Sequence, residues 1–434
     1  MAKIDVTFLV EQILDGEIAF PGGQGKLDAT AATWAEAYAA DKKIVPTIGT
    51  QCGNCQFKND PNGHLKDGRA ECWSAVTGLP EDQLASGTVL DIWNFRGKQK
   101  LIDQGVYKIS QVQRDDLGDF DEVIAPEGLS TKQRQWLQIG GLPDEYKDRG
   151  YYIDERLILS ESQAWKFPYH FIDFETASVA LPFHKLRPYE QVAFQFSHHL
   201  MEADGSVRHG GQFLSTTPGE FPNFKFARAL RDELAGDDGT VFMWSPHENT
   251  ILSRILKQLA ESDEPDRNEL GDFVASLLKG QSRAMYDLCA LASKAYFHPM
   301  TKGSNSIKKV LPSILSSSAA LREKYSKPIY GAPGGIPSLN FSSDDGFAWL
   351  EPDLPGGLDP YQRLKALAKD MLPPGVDDEG SVIAEGGAAA TAYSRLQFED
   401  LDTDARKRIE ASLLKYCETD TMAMVFAVEG GLGN

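Results

Sequence analysis

The run YHFIDFETA at residues 169–177 places the tightest constraint on how this chain folds. Tyr169, Phe171, Ile172 and Phe174 are aromatic or β-branched and suit a buried strand, yet Asp173 and Glu175 interrupt them. Successive side chains on a strand alternate faces, so Asp173 and Glu175 share one face and Ile172 and Phe174 the other. Two carboxylates that close repel each other, and burying them uncompensated is costly. A divalent cation between them is the first compensating group to consider. The competing reading is an exposed edge strand with a solvated acidic face, and a DxE triplet alone does not decide between the two.

The 434 residues suit two or three domains, and 41% hydrophobic with 25% charged residues is ordinary for a globular protein. No stretch approaches the roughly 20 apolar residues of a membrane helix. The N-terminus, MAKIDVTFLVEQILDGEIAF, lacks the charged-then-apolar order of a secretion signal, so a cytoplasmic protein with no membrane partner is expected. A net charge of −19 argues against a protein that coats duplex non-specifically, because that needs clustered Lys and Arg. It leaves room for a nuclease whose acidic site meets phosphate through metal ions. Cysteines at 52, 55, 72, 289 and 417 form no disulfide framework, and Cys52, Cys55 and Cys72 cluster as metal ligands do.

Residues 1–48 carry helical spacing in VTFLVEQIL and ATWAEAYAADKK, and residues 79–160 read as a helical connector. From about 165, strand and helix alternate. HFIDFET and YEQVAFQFSHHLME read as strands, FKFARALRDELAG as a helix, TVFMWS as a strand and ENTILSRILKQLAES as a helix. That order predicts an α/β sheet with an antiparallel beginning. Residues 328–375 hold eight of the 23 prolines and are expected to form a long irregular insertion. A last helix is expected over roughly 402–427.

A cation between Asp173 and Glu175 needs further carboxylates. In KYCETDTMAM, Tyr416 and Asp420 stand i and i+4 on the last helix and share a face. In VFMWSPHENTIL, Glu248 falls where a strand gives way to a helix. There it either points into a cleft at the sheet's end or favours the helix N-terminus through the dipole. The stretch KGSNSIKKVLP offers Lys302, Ser304, Ser306, Lys308 and Lys309 as phosphate contacts ahead of a helix, against the alternative of a solvated basic turn. Arg187 is a further phosphate contact or a structural ion pair.

A DxE strand, an acidic residue at a strand-to-helix junction and a Y-x3-D helix, in that order, resemble the DEDD exonuclease superfamily, whose fold is ribonuclease-H-like. Tyr416, with Lys at 415, indicates the tyrosine type. The resemblance implies a ribonuclease-H-like mixed sheet with flanking helices, preceded by a mainly helical, cysteine-containing N-terminal region. It implies that Asp173, Glu175, Glu248 and Asp420 hold two Mg²⁺ or Mn²⁺ ions, and that Tyr416 orients the attacking water in 3′–5′ hydrolysis of DNA or RNA ends. The chain departs from the pattern at Glu248, preceded by His247 and Ser245, where the superfamily supplies Asp. Glu is one methylene longer and still reaches in this reading, with Asp287 in reserve and His247 as a phosphate contact or a surface histidine.

A closer resemblance covers most of residues 165–428. FIDFETASVALPF, RPYEQVAFQFSHH, KGSNSIKKVLPSIL, EGGAAATAYSRL and KYCETDTMAM look like an uncharacterised prokaryotic domain family with this exonuclease-like core, found C-terminal to RecB-like or Cas4-like nuclease domains. It implies an exonuclease domain over 165–430. Residues 1–78 then look like a remnant or tail of a RecB/Cas4-like domain, and such a nuclease or another complex subunit becomes a candidate partner. Cys52, Cys55 and Cys72 with His64 would make a Cys3His zinc site, while the RecB/Cas4 resemblance implies a [4Fe-4S] cluster, and three unligated buried thiols are the third alternative. The rival to catalysis is a catalytically weak nucleic-acid-binding or assembly subunit on the same fold. A second rival is an endonuclease on that fold.

Overall fold

The computed structural model describes residues 5–18, 20, 25–59, 65–370, 383 and 386–432. The chain divides into two compact units, Met1–Ile124 with Leu129–Gly150, and Ala125–Gly128 with Tyr151–Asn434. Residues 1–78 and most of 79–160, separated in the sequence reading, thus fall in one unit, with 125–128 and 151–160 in the other.

The first unit is helical. Helices Thr7–Asp15 and Leu27–Ala39 form where the apolar spacing predicts them. Helix Gly68–Thr77 starts at Asp67, whose carboxylate accepts the Arg69 and Ala70 N–H groups that a first turn leaves unpaired. Ile48, Trp73, Leu84, Val89, Ile92 and Leu101 build its core, with Cys52 packed against it. Cys52, Cys55 and Cys72 are half-buried free thiols. Burial, then the neighbouring Cys55 and Cys52, push the Cys72 thiol up. Among the described residues the three thiols do not make a convergent ligand set, and His64 lies outside the described residues.

The second unit is α/β. Its strands are β1 (Tyr152–Ile153), β2 (Tyr169–Ser178), β3 (Gln191–Met201), β4 (Val207–Leu214), β5 (Val241–Met243), β6 (Tyr286–Asp287) and β7 (Tyr296–Phe297). β1 pairs with β7, and the other five form one mixed sheet in the order β4-β3-β2-β5-β6. β2, β3 and β4 are antiparallel neighbours, while β5 and β6 run parallel to β2. The predicted antiparallel beginning is present. β4, which the sequence reading leaves out, extends it.

β2 is a central strand, and its two faces differ as the alternation predicts. Ile172 and Phe174 enter a core with Phe196, Phe226, Leu230, Ile251 and Ile255, supplied by helices Asn223–Leu234 and His247–Ala260. Tyr169, Phe171 and Ala177 enter a second core with Ile409, Leu413 and Met424 of helix Thr403–Ala427. Asp173 and Glu175 lie on this second face, opposite Ser197 and Gln195 of β3, and the register shifts by a bulge just after Glu175. Bulges of this kind re-aim side chains. Gln195 Nε2 donates to Leu413 O at 2.8 Å, and Ser197 Oγ meets Thr421 Oγ1 at 2.9 Å, so a polar stripe joins the sheet to the last helix.

The 328–375 segment is the expected irregular stretch only in part. Its backbone is irregular as far as residue 359, yet Tyr330, Phe341, Trp349 and Tyr361 are buried, and Pro360–Asp370 is a helix. The rings of Tyr330, Phe341 and Phe347 gather around Trp349 at 4.9–5.1 Å between centroids. Apolar burial holds this segment in place without regular hydrogen bonding. Residues 371–375 lie outside the described residues.

Phe174 stands opposite Phe196 and 4.8 Å from the Phe226 ring. Phe174→Ala should therefore cost about 3–5 kcal/mol of unfolding free energy through the cavity it leaves. Urea denaturation of the full chain followed by tryptophan fluorescence measures it.

Candidate functional site

Asp173 and Glu175 reach the site from β2, and Asp420 reaches it from the last helix. One ligand oxygen of each lies within 4.8 Å of the others, and among the described residues no other set of three His, Cys, Asp or Glu converges in this way. Asp173 is half-buried, while Glu175 and Asp420 are buried. The edge-strand alternative fails because β2 is paired on both sides.

The electrostatics follow from this crowding. Burial, then the charges of Asp420, Glu175 and Glu248, push Asp173 well above the usual carboxylate range. Glu175 is raised well above its own by burial and by Asp420 and Glu248. Asp420 is raised by burial, with Lys308 and hydrogen bonds from Tyr361 and Tyr416 pulling the other way. The Tyr361 hydroxyl donates to Asp420 Oδ1 at 2.5 Å. Lys308 Nζ donates to the Tyr416 hydroxyl at 2.7 Å. Burial pushes both phenols up, so each keeps its proton.

Glu248 enters from the first turn of helix His247–Ala260. The turn before it is strained: Ser245 holds φ at +109°, where non-glycine residues are rare. Its N–H donates to Asp287 Oδ1 at 3.2 Å, and Trp244 Nε1 donates to Asn305 O at 3.1 Å. Glu248 is buried with Oε2 unpartnered, and burial, Asp287 and Asp420 push its carboxyl up to about 8. It stands outside the 4.8 Å set, although its charge acts on Asp173 and Glu175. Asp287 is committed elsewhere. Its Oδ1 also accepts the Ala290 N–H at 3.0 Å, capping helix Leu288–Ala295. The reserve ligand is a helix cap.

The phosphate-contact candidates separate. Lys308 joins the carboxylates. Lys302, Ser306 and Lys309 are exposed, and Ser304 is half-buried with its Oγ accepting the Ser306 N–H at 3.3 Å. Arg187 pairs with Glu261 at 3.0 Å and Glu190 at 3.5 Å, the structural alternative foreseen for it. His247 Nε2 sits 3.1 Å from Thr176 Oγ1, beside the end of β2.

Two site residues escaped the sequence reading. Tyr361 is 59 positions from its partner Asp420, on helix Pro360–Asp370, and nothing in its local sequence points to that partner. Cys417 is buried with its thiol 3.8 Å from Asp173 Oδ2. Burial and the carboxylates push that thiol well up, which keeps it protonated and unreactive.

A family described as a domain of unknown function (DUF2779) matches residues 170–306. That span holds Asp173, Glu175 and Glu248 and ends before Lys308, Tyr416 and Asp420. No curated protein and no solved structure matches the chain.

The raised Glu248 carboxyl makes a stability prediction. Folding penalises the ionised form, so the penalty is absent below the unfolded value near 4.5, grows as pH rises and is complete above about 8. Glu248→Gln should therefore stabilise the protein in EDTA by on the order of 2–4 kcal/mol at pH 8.5, and by much less at pH 5. Calorimetric melting of both proteins at the two pH values checks the sign and its growth.

Proposed function

We propose that this chain is a cytoplasmic, divalent-metal-dependent 3′–5′ exonuclease that hydrolyses phosphodiester bonds at DNA or RNA ends on a ribonuclease-H-like core. The observation that carries this reading is the convergence of Asp173, Glu175 and Asp420 within 4.8 Å on the buried face of a central strand. The sheet supports it too. Three antiparallel strands extended by two parallel ones make the kind of mixed sheet that the resemblance implies.

The residues present fit a hard cation. The converging donors are all carboxylate oxygens, the set preferred by Mg²⁺ and Mn²⁺. Their mutual repulsion and the unpartnered Glu248 Oε2 are both relieved by positive charge. Asp173, Glu175 and Asp420 would hold the ion, and Glu248 would bring the set to the four carboxylates that two ions require. When bound, such ions lower the pKa of water and neutralise charge on phosphoryl oxygens.

The chain's own groups do the rest. Tyr361 fixes the rotamer of Asp420 through its 2.5 Å hydrogen bond, as partners of ligating carboxylates do. Tyr416, one helical turn before Asp420 and held by Lys308, orients a water oxygen against the terminal phosphate. The apolar cores above and below the carboxylates limit bulk water and strengthen the local field. A second reading, strand binding without turnover, is favoured by one observation: Glu248 stands outside the converging set.

Single-stranded DNA and RNA labelled at the 5′ or 3′ end, incubated with Mn²⁺ or EDTA, test the proposal. Stepwise shortening from the 3′ end in Mn²⁺ alone is expected. Asp173→Ala and Asp420→Ala should abolish it while melting no lower than the parent. Tyr416→Phe should slow it about 10- to 100-fold. Undiminished cleavage by Asp173→Ala sinks the assignment, and strand binding with no cleavage by the parent protein selects the second reading.

A further inference from the structure

An acidic centre faces a difficulty of its own. A phosphodiester is an anion, and here it must approach at least three carboxylates on a protein of net charge −19. Coulomb repulsion at such separations is unfavourable unless a fixed positive charge is built into the approach. Of the lysines in the 302–309 stretch, Lys308 is the one brought to the carboxylates.

Its placement is specific. Lys308 is the second residue of helix Ile307–Ser317, and the loop before that helix is anchored through Asn305. Asn305 accepts from Trp244 Nε1 through its carbonyl and donates to Ser293 Oγ at 2.8 Å. The half-buried ammonium lies 4.8 Å from the centre of the Tyr416 ring and 5.2 Å from that of Tyr361. The second distance is within cation–π range, while at Tyr416 the ammonium sits at the hydroxyl edge of the ring. Tyr416 also accepts its 2.7 Å hydrogen bond, and Tyr361 turns its hydroxyl toward Asp420. The Tyr416 hydroxyl and the Tyr361 ring thus hold a long, flexible side chain in one position, which lowers the entropy it loses on meeting a ligand.

We propose that Lys308, held between Tyr361 and Tyr416, is the residue that contacts a phosphate of the bound strand at the carboxylate centre. The proposal rests on the nucleic-acid reading above and assigns the contact to one side chain. It has a consequence with the opposite sign for metal ions. The Lys308 ammonium repels any cation bound by Asp173, Glu175 and Asp420, so removing its charge tightens divalent-ion binding while weakening the grip on the strand.

Two measurements on the full chain test it. Fluorescence anisotropy of 5′-fluorescein-labelled dT12 and rU12, in Ca²⁺ over a KCl series, gives the dependence of log K on log salt. Lys308→Gln should weaken binding of both strands and make that slope shallower by about 0.7, the value for one phosphate contact on a single strand. Lys308→Arg should restore the slope. Titration calorimetry with Mn²⁺ and no nucleic acid should show Lys308→Gln binding the ion several-fold more tightly than the parent. An unchanged salt slope in Lys308→Gln overturns the proposal and leaves the exonuclease reading standing. Weaker Mn²⁺ binding in Lys308→Gln assigns the lysine a structural role and overturns it as well. Strand binding without cleavage by the parent defeats only the hydrolase, with the slope still deciding on Lys308. No strand binding by the parent defeats both.

Discussion

Like-charge repulsion among buried carboxylates is the constraint around which the second unit is organised. Asp173 and Glu175 are fixed by the pleat of a strand paired on both sides, and Asp420 by a 25-residue helix buried along most of its last three turns. The cores on the two faces of the sheet hold the backbone of all three in place. The groups that offset the repulsion come from elsewhere: Lys308 from a helix start, Tyr361 from a segment that looks like a surface insertion, Tyr416 from the turn before Asp420.

Glu418 shows what a structural buried acid looks like in the same helix. Its side chain is fully buried, yet it accepts from Tyr330 at 2.5 Å, Asn340 at 2.7 Å and Ser338, with His209 Nδ1 at 3.3 Å. Burial raises its pKa, but those donors outweigh burial and hold it below the usual range. Asp420, two residues on, has two phenols and a nearby ammonium and stays raised. One carboxylate is satisfied by the protein and the other is not. The difference lies in donor count rather than in depth, and it separates a tie between segments from a site that still calls for positive charge.

Much of this was legible in the sequence because it is local. Alternation in YHFIDFETA assigns Asp173 and Glu175 to one face, and the four-residue spacing of Tyr416 and Asp420 assigns them to one helix face. The helix start at Glu248 follows from the Ser-Pro break after an apolar run. What stayed hidden depends on distant chain. β4, VRHGGQFL, mixes two glycines with polar residues and has no strand signature until β3 pairs with it. β6 is two residues long and exists because Tyr286 and Asp287 line up beside β5. Tyr361 gives no local sign of its partner, since the apolar spacing of helix Pro360–Asp370 marks it only as a residue packed into the core. The thiols of the first unit carry a ligand-like spacing, but spacing does not make side chains converge.

The junction that carries Glu248 joins these threads. A carboxylate in the first turn of a helix is ordinarily stabilised in its ionised form by the dipole, and here burial and two acidic neighbours overcome that preference. The backbone leading to it is held at Ser245 in a conformation that costs about 1–3 kcal/mol for a non-glycine residue. Asp287 stabilises that turn by accepting the Ser245 N–H, while the same carboxylate raises Glu248. A relaxed turn capped by a neutral side chain would make the unit more stable and remove both penalties. Strain, an unpartnered buried oxygen and like charges therefore coincide at the one connection that delivers a fourth carboxylate toward β2. Natural chains retain such combinations at sites where function opposes stability.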